Sequence, residues 1–172
     1  MKGNAGNIVL IGMPGAGKST LGVVLAKILN KDFLDADLAI QKRYGKTLQG
    51  IIDERGVQGF IEAENQVLCG LEPENCVVAT GGSAVYSDEA MRHLAETGTV
   101  VYLEISYESL VGRLIDLDER GVVLKGGVSM SLRDLYDERK PLYEHYAQHT
   151  VNIDDLSITA AARKVARAIP MQ

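Results

Sequence analysis

The sequence of 172 residues has few features of proteins that cross a membrane or bind a nucleic acid. No apolar run approaches the roughly 20 residues needed to span a bilayer, and the start, MKGNAGNIVL, lacks an apolar segment followed by a cleavage site. The chain carries 18 Lys and Arg against 23 Asp and Glu, and its net charge of −5 disfavours anionic partners. We therefore expect no nucleic-acid partner, no membrane partner and a cytoplasmic location.

Cysteine is also scarce, since Cys69 and Cys76 are the only two. Their spacing matches no redox motif, and no nearby histidine or second cysteine pair supports a zinc site, so we expect two reduced, partly buried thiols. The sequence lacks internal repeats and low-complexity linkers. Its 46% hydrophobic and 24% charged residues predict one domain over residues 1–172, which we expect to be a monomer.

Short apolar runs alternate with longer segments of helical period, which predicts an α/β fold with a parallel sheet. The predicted strands are residues 8–11, 33–34, 76–79, 100–103 and 150–153. The predicted helices are residues 18–29, 36–44, 58–69, 89–95, 107–116, 132–148 and 156–168. The Gly-rich stretch DLDERGVVLKGGVSM, residues 116–130, has no clean period and is interpreted as a lid.

The stretch GMPGAGKST, residues 12–20, carries the strongest chemical signal. It matches G-x-x-x-x-G-K-[ST] between a predicted strand and a predicted helix, the context that this phosphate-binding loop (P-loop) requires. Its glycines let successive backbone N–H groups point at phosphate oxygens, while Lys18 reaches the β- and γ-phosphates and Ser19 binds Mg²⁺. The predicted nucleotide-binding residues are Gly12, Gly15, Ala16, Gly17, Lys18, Ser19 and Thr20.

Two aspartates follow the second predicted strand, in FLDADLAI. Asp35 and Asp37 stand at the edge where ligands bind in open α/β sheets, and alternate residues of an extended segment point the same way. One carboxylate can then hold magnesium while the other accepts a proton from a substrate hydroxyl. A structural alternative is that Asp35 only caps the following helix and Asp37 only favours its first turn.

A glycine pair ends the third predicted strand, in VVATGGSAV. Gly81 and Gly82 predict a close approach of backbone to a ligand, although an ordinary turn would use the same residues. Two arginines are the last candidates for the ligand-binding site. Arg120 in the predicted lid can stabilise a transferring phosphoryl group, and Arg139 is either a ligand-binding cation or a surface helix residue.

Together these motifs resemble those of the shikimate kinase family, small P-loop kinases of the nucleoside monophosphate kinase group. The matching pieces are GMPGAGKST, FLDADLAI, GVQGFIEAE, ATGGSAV, ERGVVL and ERKPLYEHYA, and they span nearly the whole chain. The resemblance implies a five-stranded parallel sheet flanked by helices, an acceptor-binding region at about residues 36–64 and a lid at about 116–130. It implies transfer of the γ-phosphoryl group of ATP, with Mg²⁺, to a hydroxyl of shikimate, a small carboxylate.

The same resemblance implies a role for each motif residue. Asp35 would bind the magnesium shell, Asp37 would act as the base on the acceptor hydroxyl, and Arg120 would contact the phosphates. Arg113 stands where the family has an adenine-side arginine. The predicted catalytic residues are Lys18, Asp37 and Arg120, and the predicted acceptor-binding residues are Asp37, Ile61, Glu64, Gly81, Gly82, Ser83 and Arg139.

Ile61 and Ser83 depart from the family's pattern. At position 61 the family has an arginine that shares the shikimate carboxylate with the arginine matching Arg139 and pairs with the glutamate matching Glu64. Loss of one charge-assisted hydrogen bond, ~1.5–3 kcal/mol, would weaken shikimate binding roughly ten- to a hundredfold. Ser83 stands in place of the family's third glycine and adds a side chain beside the acceptor.

These departures leave several interpretations open. Another cation, Lys46 or Arg55, could rebuild the carboxylate contact. The acceptor could instead be a hydroxy amino acid such as homoserine, whose amine would bind Glu64. Alternatively, Glu64 could face solvent while Ile61 extends an apolar helix face, or the protein could be a non-catalytic nucleotide-binding sensor.

Overall fold

The computed structural model describes residues 6–115 and 131–170, which form one five-stranded parallel sheet flanked by helices. The strands lie in the order β2-β3-β1-β4-β5, and every neighbouring pair is parallel. Their bounds are Asn7–Ile11 (β1), Asp32–Asp35 (β2), Cys76–Ala79 (β3), Gly98–Glu104 (β4) and His149–Asn152 (β5). All five predicted strands are present, with ends that differ by at most two residues.

The helices follow the predicted order. Their bounds are Lys18–Leu29 (α1), Ala36–Tyr44 (α2), Leu48–Cys69 (α3), Asp88–Thr97 (α4), Tyr107–Ile115 (α5), Leu132–Tyr146 (α6) and Ile158–Ala168 (α7). A 3-10 turn, Ala84–Tyr86, follows β3. The predicted lid, residues 116–130, and Arg120 within it lie outside the described residues.

Helix α3 corrects the predicted helix of residues 58–69, because it begins ten residues earlier. The Thr47 side chain accepts a hydrogen bond from Gly50 N and caps this first part. Gly56 then interrupts the helix with φ 72° and ψ 177°, a conformation that residues with side chains rarely adopt. The interruption breaks the helical period, which hid the first part of the helix from sequence analysis.

The central strands are buried because helices cover both faces of the sheet, and β1 is buried along its whole length. Parallel pairing places the ends of β1, β2 and β3 at one edge of the sheet, where their following loops meet. Both cysteines are free, Cys76 buried and Cys69 half-buried. Within residues 6–115 and 131–170, no helix is long and apolar enough to cross a bilayer.

Candidate active site

The loop between β1 and α1 has the backbone that its glycines predict. Gly15 and Gly17 both have φ 86°, and Gly17 forms the N-terminal cap of α1. Gly12 has φ 148°, and a Cβ there would lie 2.9 Å from the carbonyl oxygen of Leu103. The loop therefore curls around the positive N-terminal end of α1, a position that favours phosphate.

Lys18, the first residue of α1, is buried under this loop with 7% exposure. Its ammonium donates hydrogen bonds to the carbonyl oxygens of Gly12, at 2.8 Å, and Met13, at 2.9 Å. Burial lowers the pKa of Lys18 to about 8, against the opposing effect of the nearby Asp37 carboxylate. A partly desolvated cation at this position is well suited to phosphate oxygens.

Ser19 and Asp35 bring two hard oxygen donors together at the carboxyl edge of the sheet. Ser19 Oγ donates to Asp35 Oδ2 at 2.7 Å, and the other carboxylate oxygen accepts from Asp37 N at 2.9 Å. Asp35 thus caps α2 as one interpretation predicted, and it also faces the phosphate-binding loop. No cluster of three or more metal-ligating side chains occurs in the described part of the chain.

Arg113 lies on α5 beside the phosphate-binding loop. One guanidinium nitrogen, Nη1, donates to the carbonyl oxygen of Ala16 at 3.0 Å, and Nη2 donates to that of Ile153 at 3.5 Å. Thr20 is exposed in the first turn of α1. The fold therefore places these predicted nucleotide residues around one loop, with Arg113 between that loop and the end of β5.

Asp37 and Glu64 reach the same point of the loop after β3. A Cβ added to Gly81 would lie 2.9 Å from Asp37 Oδ1 and 3.0 Å from Glu64 Oε2, so only glycine leaves room for both carboxyl groups. Burial raises the pKa of Asp37, and repulsion from Asp35 adds to this, while Lys18 opposes it. Asp37 is half-buried, and its carboxylate interacts electrostatically with Lys18.

Glu64 is buried with 1% exposure, which excludes the alternative in which it faces solvent. Ser83 Oγ donates to Glu64 Oε1 at 2.8 Å, while Oε2 has no hydrogen-bond partner among the described residues. Burial raises the pKa of Glu64 to about 7, although the bond from Ser83 acts in the opposite direction. Ile61 packs in an apolar cluster with Ile40 and Phe60.

Arg139 is also buried with 1% exposure, so it is not a surface helix residue. Its Nε donates to the hydroxyl of Tyr86 at 3.2 Å, and the guanidinium lies 5.3 Å from the centre of that ring. A Cβ on Gly82 would lie 2.8 Å from Nη1, which has no hydrogen-bond partner in residues 6–115 and 131–170. A buried cation therefore faces the glycine pair across from Glu64.

Two tyrosines complete this region, and sequence analysis assigned them no site role. Tyr143 stacks on Tyr102 with ring centres 5.2 Å apart, as a packing residue does, but its hydroxyl also donates to the carbonyl oxygen of Gly82 at 2.7 Å. Tyr86 contacts Arg139. The helical spacing of Arg139 and Tyr143 is the one sequence signal that could have placed Tyr143 on the same face.

The two cations proposed to replace an arginine at position 61 are exposed and engaged elsewhere. Lys46 pairs with Glu54, and the guanidinium of Arg55 lies 4.9 Å from the centre of the Tyr44 ring. Among the described residues, Arg139 is thus the buried guanidinium at the glycine pair.

The model of the shikimate kinase family matches residues 14–170. The chain belongs to the shikimate kinase family. Shikimate kinase from Vibrio parahaemolyticus is 38% identical over 164 residues, 95% of each chain. The solved structure of shikimate kinase from Acinetobacter baumannii in complex with shikimate is 33% identical with a TM-score of 0.82, covering 94% of this chain and 90% of that one. Shikimate kinase from Aquifex aeolicus is 29% identical with a TM-score of 0.79, covering 94% and 95%.

Membership of the shikimate kinase family establishes the fold and the class of reaction. The predicted five-stranded P-loop kinase fold is confirmed by the sheet and by these solved structures. The protein is an ATP-dependent phosphotransferase whose acceptor is an alcohol group. The departures expected at Ile61 and Ser83 concern the acceptor site, so they leave this assignment unchanged.

Proposed function

We propose that the protein transfers the γ-phosphoryl group of ATP to a hydroxyl of shikimate and forms shikimate 3-phosphate. The observation that carries the acceptor is the buried Arg139 guanidinium, whose Nη1 has no hydrogen-bond partner among the described residues. A buried cation with an unsatisfied donor is costly, and an acceptor carboxylate at Nη1 would supply both the missing acceptor and a negative charge. The similarity to a shikimate kinase solved in complex with shikimate supports the same acceptor.

In this proposal the loop of residues 12–20 holds the phosphates through its amides and Lys18. The oxygens of Ser19 and Asp35 would hold Mg²⁺, which when bound neutralises charge on the phosphates and helps to orient them. Arg113 would line the adenine side of the site. Arg120, which lies outside the described residues, would contact the transferring phosphoryl group.

Asp37 is the proposed base. Its carboxylate lies beside Gly81, and it would accept the proton of the acceptor hydroxyl as that oxygen attacks the γ-phosphorus in line with the leaving group. Arg139 would bind the acceptor carboxylate at Gly82, so the two glycines separate the reacting end of the acceptor from its charged end. Positioning of this kind supplies much of the rate enhancement in phosphoryl transfer.

A hydroxy amino acid remains a second candidate acceptor because Glu64 Oε2 has no hydrogen-bond partner among the described residues. An amine at that oxygen would supply the missing donor. Two features of the structure weigh against it. Ser83 already donates a hydrogen bond to the other oxygen of Glu64. The raised pKa of Glu64 also keeps a fraction of the protein molecules with this carboxyl uncharged at neutral pH.

The test is ADP release by the purified protein with Mg²⁺ and ATP, comparing shikimate with homoserine, other hydroxy amino acids and sugar acids. We expect saturable turnover of shikimate, lowered about 10²–10⁴-fold by Asp37→Asn while ATP still binds. If an amino acid is turned over and shikimate is not, the amino acid is the acceptor and shikimate is not. Silence with every compound would overturn the proposal in favour of a nucleotide sensor. The monomeric state and the cytoplasmic location stay predictions.

A further inference from the structure

The acceptor site contains a buried contact between Ser83, in the loop after β3, and Glu64, in α3. The Glu64 carboxyl is 1% exposed and Ser83 is 9% exposed, and the serine hydroxyl is the only hydrogen-bond donor to that carboxyl among the described residues. A buried carboxyl that loses its donor bears the full cost of leaving water. Ser83 is therefore the described hydrogen-bond donor that fixes the orientation of the Glu64 carboxyl.

Ile61 lies three residues before Glu64 on the same helix. Side chains at this spacing are neighbours on a helix surface, so a long cation at position 61 could reach the Glu64 carboxyl. The isoleucine cannot, and it packs against Phe60 and Ile40 instead. The donor to Glu64 thus comes from a different part of the chain, across the loop that carries the glycine pair.

We propose that Ser83 is an acceptor-positioning residue that takes the place of a cation at position 61 as the partner of Glu64, so that positions 61 and 83 are energetically coupled. The coupling acts on the acceptor through Gly81 and Gly82. Glu64 and Asp37 both contact the space beside Gly81, and Gly82 faces Arg139. Movement of Glu64 would therefore alter the surroundings of the proposed base, Asp37. It would also shift the loop of Gly81 and Gly82 that lies beside Arg139.

This inference rests on the proposed function only for its kinetic part, since the contact itself lies within the folded protein. The experiment is a cycle of four proteins: wild type, Ser83→Ala, Ile61→Arg and the double variant. In the wild-type background we expect Ser83→Ala to raise the shikimate KM about tenfold with a smaller change in kcat, because one hydrogen bond to a carboxyl group is lost. In the Ile61→Arg background the same change should raise KM less than about twofold, since the arginine supplies the donor.

Thermal unfolding of the same four proteins provides a measurement that needs no acceptor. We expect Ser83→Ala to lower Tm by about 3 °C or more in the wild type and to have little effect beside Arg at position 61. Ser83→Thr keeps the hydroxyl and should restore the shikimate KM. Thr97→Ala is the matched control, because it removes a half-buried hydroxyl that bonds to the carbonyls of His93 and Leu94 on α4, away from the acceptor.

Equal effects of Ser83→Ala in both backgrounds, in KM and in Tm, would overturn the inference. If the effect of Ser83→Ala on Tm differs between the two backgrounds while the shikimate KM is unchanged in both, the positioning role is overturned, because the contact would then only stabilise the fold. If the wild type turns over no shikimate, the proposed function fails. The Tm cycle still decides whether Ser83 and position 61 serve the same carboxyl.

Discussion

The hydroxyl of Ser19 donates a 2.7 Å hydrogen bond to Asp35, and this contact joins the first turn of α1 to the end of β2. The same carboxylate accepts a hydrogen bond from Asp37 N. One side chain therefore sets the position of the phosphate-binding loop relative to the proposed base. A change at Asp35 should affect metal use before it affects the fold.

Asp35→Asn tests the proposed metal site. Asparagine can still cap α2, so the fold should persist, but loss of the charged oxygen weakens Mg²⁺ binding. We expect the Mg²⁺ concentration for half-maximal activity to rise at least about tenfold. Asp32→Asn, an exposed change on the same strand, is the control and should leave this value unchanged. An unaltered Mg²⁺ dependence in Asp35→Asn would remove Asp35 from the site.

Arg139→Lys tests the contact with the acceptor carboxylate. Lysine keeps the charge but loses the planar fork, and a charge-assisted hydrogen bond contributes about 1.5–3 kcal/mol. The shikimate KM should therefore rise roughly ten- to a hundredfold while the KM for ATP stays the same. Arg133→Lys, on the exposed side of the same helix where Arg133 pairs with Asp137, should change neither constant. Parallel rises in both KM values would point to a general disturbance of α6.

Gly81→Ala tests the need for a bare backbone between the two carboxyl groups. The new methyl would lie 2.9 Å from Asp37 Oδ1 and 3.0 Å from Glu64 Oε2, so at least one carboxyl must move. Displacement of the base should lower kcat about 10²-fold, with ATP binding retained. Gly112→Ala is the control, since a Cβ there meets no described residue within 4 Å and the residue is helical. Full activity in Gly81→Ala would show that Asp37 does not act from this position.

Glu64→Gln tests the ionisation of the buried carboxyl. Because burial raises its pKa from 4.5 to about 7, the folded protein retains a proton that the unfolded chain loses as pH rises through 4.5. The contribution of Glu64 to stability therefore falls between about pH 4.5 and pH 7 and is constant above that range. Relative to wild type, Glu64→Gln should gain on the order of 2 kcal/mol across this window.

Unfolding measurements from pH 5 to pH 8 on both proteins would show this gain. Lys18, Asp37 and Arg139 face Glu64 and are present in both proteins, so the difference reports mainly Glu64. A difference between the two proteins that is independent of pH would mean that Glu64 is ionised in the folded state.

Sequence analysis located the sheet and the phosphate-binding loop because both depend on local signals. The apolar runs of β1 and β3 and the glycines of residues 12–17 have fixed spacings that single segments carry. Dependence on local signals also explains why the first part of α3 was missed, since Gly56 interrupts the helical period there.

The contacts within the acceptor site were out of reach of sequence analysis because they join distant segments. Ser83 and Glu64 are 19 residues apart, and Tyr143 and Gly82 are 61 apart. Neither pair has a motif, and each contact exists only once α3 and α6 have packed beside β3. Motif matching predicted the residues of the candidate site, and packing determined which of them touch.

Helix α6 supplies both Arg139, beside Gly82, and Tyr143, whose hydroxyl bonds to the Gly82 carbonyl. These residues are four apart, so the same turn of helix sets the acceptor's anion contact and braces the loop that it faces. In directed evolution toward new acceptors, changes at this helix would therefore alter the anion contact and the position of the glycine loop together. Variants that shift α6 to admit a longer acid would also loosen the glycine loop, whereas changes at positions 61 and 83 act from the Glu64 side of that loop and leave the two α6 contacts in place.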